Sequence, residues 1–102
     1  RPTADDAIRL LELHLKDAKK RQVTAITFIH GYGSSGKGGK IRLEVRKTLE
    51  HFKVKGLIYD YVAGEDFNRR MGTTKNLLQR FPGLAGNKNL GRSNRGITLV
   101  VL

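Results

Sequence analysis

The stretch Ile26-Thr27-Phe28-Ile29-His30-Gly31-Tyr32-Gly33-Ser34-Ser35-Gly36-Lys37-Gly38-Gly39-Lys40 sets an apolar run, ending in a histidine, against five glycines and two lysines. A glycine-rich bend between a strand and a helix start can turn several backbone N–H groups toward one anionic oxygen. Lys37 and Lys40 bring charge to the bend, and Arg42 and Arg46 carry it into the following segment. These four side chains, with the N–H groups of residues 31–39, read as phosphate contacts. Gly31, Gly33 and Gly36 let the backbone approach a ligand, or serve only to permit positive φ. Tyr32 can stack on a base or ribose, or pack against its own loop. His30 can donate to a phosphate oxygen or act in acid–base chemistry, the catalytic role assigned to it; the structural alternative is a cap on a loop carbonyl.

Two nucleotide motifs share these letters. Gly31-x-Gly33-x-x-Gly36 matches a dinucleotide fingerprint, with Asp60 24 residues beyond Gly36 as the ribose acid. That fold needs a larger sheet with a switch point than 102 residues supply. Gly31-x-x-x-x-Gly36-Lys37-Gly38 resembles a P-loop, but glycine stands where the Mg²⁺-binding Ser or Thr belongs. No metal ligands are assigned. A divalent metal centre would have to draw on Asp60, Glu65 and Asp66, the acids outside the helices.

Charge points to the partner. Twenty Lys and Arg against nine Asp and Glu give a net charge of +11, a field suited to a polyanion such as DNA or RNA. The excess is uneven. Residues 1–22 are nearly balanced, whereas residues 37–55 carry seven cations against Glu44 and Glu50, and residues 65–95 carry seven against Glu65 and Asp66. Without cysteine there is neither a disulfide framework nor a thiolate metal site. The longest uncharged stretch, Gln22 to Gly36, is too short and too polar to span a membrane. A cytoplasmic protein, or a fragment of one, is expected.

The elements that must position these residues follow from periodicity. Thr3 and Asp6 form a weak capping box for a first helix with a stripe of Ala4, Ala7, Ile8, Leu11, Leu15 and Ala18. Val23 to Ile29, β-branched on both faces, reads as a central, doubly covered strand. A second helix is expected over about 39–52, with Ile41, Val45, Leu49 and Phe52 inward and Arg42, Arg46 and Lys47 outward. Strands follow at Leu57 to Val62 and Ile97 to Leu102. Between them an insert, about residues 64–94, holds one short helix within Phe67 to Phe81, packed at the sheet edge and stopped by Pro82-Gly83. The fold class is α/β in a single domain: a two-layer sandwich with a small mixed sheet, two main helices and a long insert before the last strand.

Ile29-His30-Gly31-Tyr32-Gly33, the glycine turn, Ile41-Arg42 opening a basic helix and the closing Gly96-Ile97-Thr98-Leu99-Val100-Val101-Leu102 together resemble the small MutS-related (Smr) domain family and its HGxG motif. The resemblance covers about residues 2–62 and 95–102. It implies a two-layer α/β sandwich that binds DNA or RNA, with nicking or endoribonuclease activity in the members that are nucleases. Such members carry an L-D-x-H-type motif on a strand before the first helix, which is absent from this chain. Leu11-Glu12-Leu13-His14 imitates its letters inside the first helix, and no role passes to it. The insert resembles that of a long-loop subgroup. The alternative from another class is a non-catalytic adaptor that docks on ribosomal RNA or an acidic protein.

Overall fold

The computed structural model describes residues 3–31 and 38–102. Helix α1 spans Ala4–Lys20 and opens on a complete capping box: Asp6 N donates to Thr3 Oγ1, and Thr3 N donates to Asp6 Oδ2, both at 3.1 Å. The Thr3 backbone N–H, helped by the Thr3 hydroxyl, holds the Asp6 carboxyl below the usual carboxylate range. Ala7, Leu11, Leu15 and Ala18 of the expected stripe are buried. Gln22, at φ +59°, turns the chain out of the helix toward strand β1, Ala25–Ile29.

Helix α2 spans Gly38–Val54 and buries Val45 and Leu49, with Ile41 and Phe52 half-buried at the same cluster. Strand β2 is Asp60–Ala63, followed by a 3-10 turn at Gly64–Asp66. The insert continues through helix α3, Gly72–Arg80, and a second 3-10 turn at Pro82–Gly86. Strand β3, Ile97–Val101, closes the fold.

The strand order is β1-β3-β2. Both pairings are antiparallel, Ala25 facing Val101 on one side and Asp60 facing Val101 on the other. The domain is α/β as expected. Its sheet is antiparallel at every hydrogen-bonded pair rather than mixed, because the last strand inserts between β1 and β2, which run parallel to each other without touching. The expectation of a central β1 is therefore corrected: β3 holds the middle, and all five of its residues are buried. β1 is an edge strand, and its last residue, Ile29, is 75% exposed. β-branched content alone cannot tell two covered faces from one.

Alternation along β3 divides the core. Val100 joins Phe28, Leu11, Leu15, Val45 and Leu49 beneath α1 and α2. Leu99 and Val101 join Val62, Phe67, Leu77 and Leu84 on the other face. The insert helix thus packs over a sheet face rather than at the edge, anchored by Phe67, which is fully buried. Burying a side chain of that size stabilises by about 2 kcal/mol, which gives a glycine-rich insert a fixed place. Thr74 Oγ1 donates to Asp66 O at 2.7 Å, and Gly91 N donates to Phe67 O at 2.8 Å, tying both ends of the insert to that anchor.

Candidate functional site

At the end of β1 the chain pivots on one carbonyl. His30 N and Gly31 N both donate to Gly96 O, at 3.0 and 2.9 Å, so the start of the glycine turn is bolted to the start of β3. Gly31 adopts φ +82°, a conformation that a residue with a Cβ reaches only under strain. Because His30 follows Ile26 and Phe28 in alternation, its ring lies on the face that carries α2.

The ring meets partners at both nitrogens. Nδ1 lies 2.9 Å from Gly31 O, and a carbonyl only accepts, so Nδ1 carries the proton. Nε2 lies 2.9 Å from Thr98 Oγ1 and in the neutral ring accepts that hydroxyl's hydrogen. Arg46 Nε–H donates to the same oxygen at 3.0 Å. Donation therefore runs one way, from Arg46 through Thr98 and His30 to the first carbonyl of the glycine turn. Burial pushes the His30 pKa below its ordinary 6.5; the Gly31 hydrogen bond opposes this, and the Arg46 and Arg42 charges reinforce it.

Arg46 is held from its far side. Nη1 and Nη2 donate to the two Glu65 oxygens, each at 2.9 Å, and Nη2 also reaches Ile97 O at 3.2 Å. Four of its five N–H groups are thereby satisfied inside the protein. The outward orientation expected for Arg46 is corrected: its side chain is 16% exposed. Around the helix Arg42 sits roughly 60° from Val45 and 20° from Leu49, and Arg46 roughly 100° and 60° from them, at the stripe's margin, where a long side chain can lie inward. Burial alone would raise the Glu65 carboxyl, but the Arg46 hydrogen bonds and charge, with Arg42 adding to them, hold it below its ordinary value.

Gly64 lets the Glu65 turn come this close. A Cβ there would run into the Asn94 carbonyl oxygen and stand 2.8 Å from Ile97 Cγ1. Arg42, one turn into α2, is half-buried, and its buried Nε–H has no acceptor among the described residues. Lys40 is exposed in the first turn of the same helix, a turn without acidic residues. The remaining expected contacts, Tyr32, Gly33, Gly36 and Lys37, lie outside the described residues. The site therefore brings together His30, Gly31, Arg42 and Arg46; Lys40 lies exposed two positions before Arg42, on another side of α2.

Asp60, Glu65 and Asp66 do not gather. Asp60 Oδ1 takes Lys53 Nζ at 3.2 Å, Glu65 takes Arg46, and no group of three metal-capable side chains occurs among the described residues. With β3 between β1 and β2, the parallel neighbours that a dinucleotide crevice requires are absent at that position, and Asp60 lies on the far strand. Sequence reasoning missed Thr98 and Glu65 as partners. The signal for Thr98 was present: a lone hydroxyl in the apolar run Ile97 to Leu102 must find a partner if that strand is covered on both faces.

No helix among the described residues is long and apolar enough to cross a membrane. No protein-family model matches the sequence, and neither a curated protein nor a solved structure matches it.

Proposed function

We propose that this domain binds nucleic acid through the phosphodiester backbone where β1 ends and α2 begins, as an Smr-like module. The observation that carries the reading is Arg42. Its buried Nε–H finds no acceptor among the described residues; left unpaired, such a group costs about 1–3 kcal/mol, which a phosphate oxygen arriving where β1 gives way to α2 would recover. Lys40 in the first turn of the same helix, the absence of acids from that turn and the net charge of +11 all favour the same ligand class. His30 and Arg46 are then positioning residues, since both ring nitrogens of His30 and four of the five Arg46 N–H groups are spent within the protein. A cytoplasmic setting accords with the absence of cysteine.

The test is fluorescence anisotropy with labelled duplex DNA and structured RNA over a salt series. Affinity should fall linearly on logarithmic axes, and Lys40→Gln with Arg42→Gln should weaken it about tenfold and flatten the slope by roughly one per lost contact. Binding indifferent to salt and to both substitutions overturns the reading. An acidic protein captured in place of nucleic acid supports the adaptor alternative instead.

A second reading, structure-selective nicking, draws on the neutral ring that burial favours at His30, and it requires Nε2 to be released from the Thr98 hydroxyl before it could take up a proton. Nicking of branched DNA or structured RNA that disappears in His30→Ala, with binding retained, would support it. An intact substrate with the unaltered protein removes it.

A further inference from the structure

A second concavity opens on the opposite face of the sheet from His30. It encloses about 480 Å³ beside Gly31, between β1 and the insert, and is lined by Thr27, Ile29, Gly31, Asn87, Lys88 and Asn94 among others. Its volume falls within the range of small-ligand sites. Ile29 supplies an apolar floor that is already exposed, and the insert supplies a polar wall.

That wall has a defined polarity. Asn87 Oδ1 accepts from Asn89 N, and Asn94 Oδ1 accepts from Gly96 N, both at 2.9 Å. Backbone N–H groups donate, so the oxygens are identified by their partners, and among the described residues neither NH₂ has an acceptor, which leaves both for a ligand. Lys88 adds a further donor and a positive charge. The wall is thus rich in donors, the floor is apolar, and Gly31 joins the cavity to the start of the glycine turn.

We infer that this cavity receives the base of an unpaired nucleotide, and that the domain's ligand is therefore a single-stranded segment rather than continuous duplex. The inference rests on the phosphate-binding reading above. Gly31 lines this cavity and opens the glycine turn, so a nucleoside adjoining a phosphate held there would be within reach of the cavity, its base lying on Ile29 with its edge toward Asn87 and Asn94. Donors on the wall select bases that present carbonyl oxygens, uracil and guanine, over adenine, whose amino group would meet another donor.

The test compares oligouridylate, oligoadenylate and a blunt RNA duplex as anisotropy probes. Oligouridylate should bind roughly tenfold more tightly than oligoadenylate. Asn87→Asp keeps the oxygen that caps Asn89 N but turns the ligand-facing donor into an acceptor. It should abolish the preference for uridylate, while Asn87→Ser, which retains a cap without the charge, should reduce it. A circular dichroism melt confirms that each variant is folded. Equal affinity for the three probes, or a uridylate preference that survives Asn87→Asp, overturns the cavity assignment while leaving backbone binding standing. No binding of any probe means instead that the underlying nucleic-acid reading has failed.

Discussion

Arg46 and Glu65 form a two-pronged ion pair, Nη1 to Oε2 and Nη2 to Oε1 at 2.9 Å each, joining the middle of α2 to the turn that follows β2. The pair is largely shielded, with side-chain exposures of 16% and 32%. It also sets the geometry around His30, because the same guanidinium holds Thr98. One substituted partner leaves a charge behind in a site built for two. Glu65→Gln or Arg46→Met should each cost about 2–3 kcal/mol, and the double substitution less than their sum by about 1 kcal/mol or more. Urea denaturation of the four proteins checks both figures.

Thr98→Val deletes one hydroxyl with little change in volume. It leaves His30 Nε2 and Arg46 Nε without their shared partner, at an expected cost of about 2 kcal/mol. The neutral ring loses the donor at Nε2, so its pKa should rise relative to the unaltered protein. Nitrogen-15 spectra of the imidazole read this change, and in the unaltered protein should report the Nδ1–H form at neutral pH.

Acid should weaken the fold in two stages. His30 has a folded pKa below its ordinary 6.5, so the unfolded chain takes up its proton first. The stability this group contributes is complete above about pH 6.5 and is lost as the pH falls toward the folded value. Glu65, held below its ordinary 4.5, contributes stability that is present above that value and lost as the pH falls through its folded one. Urea midpoints measured from neutral pH downward should show both declines. His30→Asn should remove the first while leaving the second.

Two glycines on either side of the insert's first turn should respond oppositely to alanine. Gly64→Ala forces a Cβ against the Asn94 carbonyl and Ile97, both parts of a packed strand entry, and should cost about 3 kcal/mol. Gly72→Ala meets nothing within 4 Å and opens α3, so it should be neutral or stabilise by about 0.5 kcal/mol. Thermal denaturation separates the two outcomes easily.

Local patterns carried much of this protein in one dimension. The Thr3–Asp6 capping box, the burial stripe of α1, the Val45–Leu49 side of α2, the final strand and the basic excess after His30 were all legible. Each depends on neighbours within about one helical turn or one strand, and chain order preserves those relationships. The sheet order was not legible. Which strand becomes central depends on pairings across 68 to 76 positions, from Ile29 with Ile97 to Ala25 with Val101, that no local pattern encodes. The same long-range pairing brought Thr98 under His30, and Gly64 brought Glu65 to Arg46. The amino-acid order by itself determined the elements and the charge that suits a polyanion. Tertiary structure alone decided that Arg46 is spent internally, that Arg42 keeps a buried donor with no acceptor among the described residues, and that Asn87 and Asn94 line one cavity, because hydrogen-bond satisfaction is settled between segments distant in the chain.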